Sequence, residues 1–214
     1  SDYVIQAEYL DRRFGLQGKK ILEVGSGPGN LCGELSRRGA GLVVGLDAAK
    51  TMIEYATNKY EKQVNGGGMR FVRASVYELP FSSEFDMVDC QNSFHQLYEP
   101  LGALREMVRV TAPGCLVYVV DFRRDVPETP FRERIEYTKP EIRQDLTNSV
   151  VASLTKQEVR DMLHAIPGIS FSVMDAEDPR GLSQLVDEMI KGDPVPHFRD
   201  YLISMRVEIH KDGE

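Results

Sequence analysis

The chain has 214 residues, 42% of them hydrophobic and 28% charged, which is enough for one full-sized domain with a buried core and argues against a disulfide-stapled mini-protein, a disordered tail or a fibrous repeat. Lys plus Arg number 26 against 33 Asp plus Glu, a net charge of −7, and neither half of the chain is basic; this disfavours nucleic acid and anionic lipid as partners, since both are bound through a positive face. The three cysteines, Cys32, Cys90 and Cys115, are dispersed and form no CxxC pair, against a disulfide framework or a Cys-rich zinc site. No apolar run approaches the roughly 18–20 residues of a membrane span, and the amphipathic start does not read as a signal peptide, so the expected location is cytoplasmic.

Taken in chain order, helical and strand periods alternate. A helix over 3–14 aligns Tyr3, Ala7, Leu10 and Phe14 on one face, and KKILEV at 19–24 is a short buried strand running into glycines. A helix over 30–38 is followed by a strand over 42–46, a helix over 49–62, a strand over 69–74 and a strand over 85–90. Helical spacing returns at 98–110, and Pro113-Gly114 turns the chain into an apolar strand over 115–122. The stretch from 123 to 154 is polar and reads as a helical insertion. Thr155 opens the next helix, over 155–166, with Glu158 at the capping-box position. A strand over 169–174, a helix over 182–190 and an alternating strand over 201–209 complete the chain. The pattern predicts an α/β fold: a Rossmann-like, doubly wound seven-stranded sheet, mostly parallel, with an antiparallel last strand.

The most informative stretch is Glu23-Val24-Gly25-Ser26-Gly27-Pro28-Gly29-Asn30, where a strand meets three alternate glycines and then a helix. Glycines allow a sharp turn and a close backbone approach to a ligand, and the helix start offers free N–H groups. Asp47 closes the second strand, where its carboxylate can accept from both hydroxyls of a ribose; the competing reading is a cap for the following helix. A dinucleotide fingerprint wants glycine where Asn30 stands, so pyrophosphate and nicotinamide cofactors are disfavoured. Glu23 adds a charge that either suits a cationic ligand or organises the N–H groups of the loop.

With these residues in place, the chain resembles the class I S-adenosylmethionine-dependent methyltransferases, of the small-molecule type similar to the quinone-biosynthesis enzymes. ILEVGSGPGN resembles the first motif of that family and VVGLDAAKTMIEYA its ribose-binding second motif; FVRASVYELPF, FDMVDCQNSFHQL and LREMVRVTAPGCLVYVVDF resemble the segments around the third, fourth and fifth strands. The likeness covers residues 19–122. It implies S-adenosyl-L-methionine as cofactor and S-adenosyl-L-homocysteine as product. It also implies that Gly25, Gly27 and Gly29 border the amino-acid part, with Ser26, Asn30 and Glu23 around the same loop. Asp47 would hold the ribose, Ala48 and Met52 would flank the adenine, Ser75 and Val76 would lie at its edge, and Cys90 and Gln91 would lie near the methionine moiety. The sequence departs from the family at Ser75, often acidic there, at Gln96, often His, and at Cys115, often Gly.

A sulfonium methyl is already activated, so catalysis mainly requires a nucleophile held in line and, for an acidic acceptor, a base. His95 is the candidate base or substrate-orienting group, against a packing role under the next helix. Asp121, at the end of the fifth strand, is the second candidate, against a turn residue paired with Arg123 or Arg124. Tyr98 and Asn92 are candidates for the acceptor cavity. Tyr3, Tyr9 and Phe14 belong either to a lid or to a helix packed on the sheet edge. No metal-ligand spacing, GxSxG elbow or amino-methylating (Asp/Asn)-Pro-Pro-(Tyr/Phe) segment is present. The sequence thus divides a single domain, 1–214, into an N-terminal helix or lid at 1–18, a cofactor-binding core at 19–122, a helical cap at 123–154 and the rest of the sheet at 155–214. The expected partner is a small molecule, with a monomer or homodimer as the assembly; binding of the same cofactor without transfer, as a regulator or partner subunit, is the alternative.

Overall fold

The computed structural model of the protein describes residues 2–176 and 203–213. Helix α1 (Asp2–Phe14) precedes β1 (Lys20–Val24), α2 (Asn30–Arg37), β2 (Leu42–Asp47), α3 (Lys50–Lys59), α4 (Glu61–Asn65) and β3 (Met69–Arg73). Then come β4 (Phe85–Gln91), a 3-10 turn (Phe94–Gln96), α5 (Pro100–Val110) and β5 (Thr111–Phe122). The remaining elements are α6 (Glu128–Tyr137), a 3-10 turn (Pro140–Ile142), α7 (Arg143–Ala152), α8 (Lys156–His164), β6 (Ile169–Asp175) and β7 (Ser204–Lys211).

The strands form one sheet in the order β3-β2-β1-β4-β5-β7-β6. Strands β1 to β5 run parallel, and β7 is antiparallel to both β5 and β6, as the alternating pattern near the end of the sequence predicts. Chain order reverses between β1 and β4, the place where open α/β sheets bind ligands beyond the carboxyl ends of their strands. The central strands are apolar on both sides because helices cover both faces. Leu22, Val44, Val88 and Val117 pack with Leu104 and Met107 of α5 and with Val159 and Leu163 of α8. Ile21, Val43, Met87 and Leu116 pack on the other face with Leu10 of α1 and with Leu31 and Leu35 of α2. A smaller cluster joins Leu146 and Val150 of α7 to Ile203, with Phe122, Phe131 and Ile135 against it.

Three boundaries differ from the sequence expectation. The helix over 49–62 is broken at Tyr60 (φ −111°), whose buried ring occupies the space above Gly33; a Cβ there would lie 2.5 Å from that ring. Strand β5 starts at Thr111 rather than 115, and Pro113 and Gly114 fall in a register shift against β4 instead of ending the pairing. The alternating strand is Ser204–Lys211, and the helix expected over 182–190 lies outside the described residues. Thr155 accepts from Glu158 N–H while the Glu158 side chain accepts from Thr155 N–H, the reciprocal pair the sequence predicts. Among the described residues, no helix is long and apolar enough to cross a membrane.

Candidate active site

The loop between β1 and α2 holds Gly25, Gly27 and Gly29 at φ +73°, +49° and +74°, a region that L side chains rarely adopt. Gly25 N–H and Ser26 N–H both donate to Leu46 O, at 2.8 and 2.9 Å, which ties the loop to the end of β2. Gly25 has no room for a side chain, since a Cβ would sit 2.5 Å from Ser93 Oγ. At Gly29 a Cβ would meet the Phe71 ring at 2.7 Å, so this glycine serves packing. Asp47 binds the loop as well: Oδ2 accepts from Gly27 N–H at 2.9 Å and Oδ1 from Ala49 N–H at 2.8 Å. The capping alternative does not hold, since Ala49 is the N-cap of α3 and no side chain caps that helix. A carboxylate offers about four lone-pair sites, so these two bonds leave room for two more donors.

Two hollows flank this loop and share Gly25 and Ser93 in their lining. The larger, about 270 Å³, is walled by Asp47, Ala48, Ser75, Val76, Tyr77 and Tyr98. Tyr77 and Tyr98 have their ring centroids 4.4 Å apart. The smaller, about 140 Å³, is lined by Tyr3, Gln6, Glu23, Ser26, Gln91 and Asn92, with Gly27 and Asn30 alongside. Among the described residues, Gln6 Oε1, Ser26 Oγ and Asp89 Oδ2 are buried without a hydrogen-bond partner, a costly arrangement that polar ligand groups relieve.

Two of the expected site residues stand apart from the hollows. Met52 lies outside both, 42% exposed, in an open depression with Pro28, Tyr55 and Lys59. The Cys90 side chain does not reach the loop either: it points into the core on the face of Leu22 and Val88, and burial pushes its thiol pKa well up. Its neighbour Gln91 points the other way, as alternation requires, and lines the smaller hollow. Tyr98 borders the larger hollow with Asp47 rather than sitting beside Asn92. Tyr9 and Phe14 pack on the sheet, with Tyr9 Oη 2.7 Å from Arg206 Nη1 and Phe14 edge-on to Tyr118, while Tyr3 reaches the smaller hollow.

Glu23 and Asp89 are register partners on β1 and β4, both buried. Cys32 Sγ donates to Glu23 Oε2 at 2.8 Å, and Gln91 Nε2 donates to Asp89 Oδ1 at 3.0 Å. Burial, with the neighbouring Asp89 charge second, pushes the Glu23 carboxyl up to about 8; burial pushes Asp89 up to about 7.

At the ends of β4 and β5 the two catalytic candidates meet. His95 Nδ1 is 2.7 Å from Asp121 Oδ1, and His95 N–H donates to Asp121 Oδ2 at 2.8 Å. Phe122 N–H donates to Oδ1 at 2.7 Å. Asp121 does not pair with the arginines beside it: Arg123 takes Asp125 and Asp175, and Arg124 takes Glu158 and Ser153 O. The sequence reading missed Gln6, Ser93 and Asp89. An acidic residue inside the apolar run FDMVDCQ is the signal that marks Asp89; Gln6 and Ser93 carry no local signal.

The family described as Methyltransferase domain matches residues 22–119. Over 116 residues, 53% of the chain, it is 34% identical to the ubiquinone/menaquinone biosynthesis C-methyltransferase UbiE of Idiomarina loihiensis, covering 46% of that protein. Over 122 residues, 56% of the chain, it is 30% identical to the ubiquinone biosynthesis O-methyltransferase of Pseudomonas fluorescens, covering 52% of it. The chain therefore spans about half the length of these relatives. The fold is also that of the plantazolicin methyltransferase BamL, crystallised with a triazolic desmethylPZN analog and SAH: TM-score 0.71 at 16% identity, covering 99% of this chain and 84% of that one. The matched residues, 22–119, fall within the β1–β5 segment, which supplies most of the lining of both hollows and holds His95 and, just beyond the match, Asp121.

Proposed function

We propose that the protein transfers a methyl group from S-adenosylmethionine to a small-molecule acceptor. The observation that carries this reading is the pair of hollows sharing Gly25 and Ser93: one bordered by a carboxylate with unused acceptor positions, the other by unpaired polar atoms. A nucleoside with a vicinal diol suits the first, and a charged amino-acid group suits the second. S-Adenosylmethionine joins the two and, when bound, supplies an activated methyl group.

On this reading Asp47 accepts from the ribose hydroxyls while keeping the glycine loop in place through Gly27 N–H. Ala48, Ser75 and Val76 border the base. Gly25, Ser26, Gly27 and Asn30, with Glu23 and Gln91, border the amino-acid part. Asp121 is an acceptor when ionised, so His95 donates from Nδ1 and keeps Nε2 as its basic nitrogen. His95 then takes the proton of an acceptor hydroxyl, thiol or acidic carbon as methyl transfer proceeds, and Asp121 steadies the imidazolium that results.

The net charge of −7 favours a small acceptor over a nucleic acid. Incubation with S-adenosylmethionine carrying a labelled methyl group and a panel of phenols, enols, thiols and carbon acids tests the proposal. Label in at least one acceptor is expected. Tight cofactor binding with no transfer to any of these classes would favour a binding role instead.

A further inference from the structure

Strand β7 carries two buried charged residues on the face of the sheet that α1 covers. Arg206 and Glu208 alternate with Met205, Val207 and Ile209, which pack in the core on the opposite face, and the two are only 3% and 7% exposed. Their cross-strand neighbours are Val120 and Tyr118 of β5 and Met174 and Ser172 of β6. Arg206 Nε lies 3.2 Å from Glu208 Oε1. A buried ion pair repays its desolvation poorly, and apolar residues of similar size would hold the strand at least as well. What the pair adds is direction.

Both charges are met by α1. Arg206 Nη1 donates to Tyr9 Oη at 2.7 Å, and Arg13, one turn further along the helix, places Nη2 2.8 Å from Glu208 Oε1. Arg13 also lies over the Tyr9 and Phe14 rings, and Phe14 meets Tyr118 edge-on. On the other flank Arg38 approaches Glu8 and Asp11, but these pairs are open to solvent and hold the helix less firmly. The C-terminal half of α1 is thus fixed to β7 by directional contacts. Its N-terminal half serves the smaller hollow: Tyr3 and Gln6 wall it, and Gln6 Oε1 is buried without a hydrogen-bond partner. A helix of 13 residues moves as one rod, so the point at which β7 pins one half decides where the other half stands.

We propose that the Arg206–Glu208 pair is a positioning device for cofactor binding. Through Tyr9 and Arg13 it sets α1 where the Gln6 carboxamide hydrogen-bonds the amino-acid part of the ligand, so that β7 governs affinity at a hollow it does not line. The proposal rests on the cofactor reading above and adds Gln6 as a contact residue, with Arg206 and Glu208 acting through it.

Calorimetry with S-adenosylhomocysteine on the whole protein tests this through a double-mutant cycle. One arm is Gln6→Ala; the other is Arg206→Met with Glu208→Leu, which removes both charges together and leaves neither buried alone. Each arm should weaken binding about five- to tenfold, the worth of one hydrogen bond, and the combined variant by little more than either. The melting temperature of the charge-free variant should stay at or above that of wild type, which separates a lost position from a lost fold. Amide exchange gives a second readout: S-adenosylhomocysteine should slow exchange across residues 3–8 in wild type and have no such effect in the charge-free variant. Should that variant not fold, Tyr9→Phe, which removes a single hydroxyl, takes its place in the cycle, with a loss of about two- to fivefold expected. Unchanged affinity, losses that add, or a fall in melting temperature in step with the lost affinity would overturn the positioning role and leave the cofactor reading standing. Failure of the folded wild-type protein to bind S-adenosylhomocysteine would overturn both.

Discussion

His95 Nδ1 lies 2.7 Å from Asp121 Oδ1, and the same carboxylate is held by two backbone N–H groups, those of His95 and Phe122. A carboxylate so anchored fixes the imidazole in one tautomer, an arrangement that a merely packed histidine does not need. His95→Gln and Asp121→Asn should each lower kcat by about 10²- to 10⁴-fold, the usual worth of a positioned base, and leave the affinity for S-adenosylhomocysteine within about twofold of wild type. Single-turnover kinetics with an accepted substrate, alongside calorimetry, checks this. An equal loss of binding and turnover would assign the pair to structure.

Asp47 makes two backbone hydrogen bonds and, in the proposed function, accepts two more from a ribose. Asp47→Ala should weaken cofactor affinity at least tenfold, as loss of ribose hydrogen bonds worth about 1–1.5 kcal/mol each requires. Deoxyadenosine analogues separate the two roles. A reduced penalty for removing the hydroxyls in the variant, compared with wild type, marks direct contact, whereas an unchanged penalty marks loop support alone.

Gly25 combines a positive φ with a Ser93 side chain that a Cβ would strike. Gly25→Ala should destabilise the fold by about 1–3 kcal/mol and lower cofactor affinity. Adding Ser93→Gly removes the collision but not the backbone strain, so the double variant should recover part of the melting temperature.

Asp89 also sets a pH dependence of stability. Its folded pKa, about 7 through burial, lies above the ordinary carboxyl value, so the folded state binds the proton more tightly than the unfolded chain does. Stability from this source is complete below about pH 4 and is lost as pH rises through 7. Asp89→Asn should remove that loss and gain on the order of 1–3 kcal/mol relative to wild type between pH 5 and 8.5. Urea unfolding at both pH values measures it; parallel shifts at the two would show that Asp89 is not the source.

Features set by neighbours in sequence were legible beforehand. Thr155 and Glu158 cap one helix from three residues apart, and the glycine spacing at 25–29 announces a sharp turn wherever the strand ends. The mostly parallel sheet was legible from apolar strands alternating with helices, and the antiparallel β7 from the alternation of its residues, whereas the strand order was not. What escaped depends on register or on side-chain direction. Glu23 and Asp89 are brought together by pairing of β1 with β4, and His95 reaches Asp121 across the ends of β4 and β5. Cys90 fell on the core side of β4 because alternation sends it opposite to Gln91, a one-residue distinction that motif likeness does not resolve. The break at Tyr60 answers to a gap over Gly33 on another helix.

The central claim is that the glycine loop, Asp47 and the two hollows hold S-adenosylmethionine. Calorimetric titration of the purified, folded protein with S-adenosylmethionine and S-adenosylhomocysteine tests it most directly. Saturable one-site binding at micromolar concentrations, weakened in Asp47→Ala, is expected; no heat and no thermal stabilisation by either ligand at millimolar concentration would contradict it.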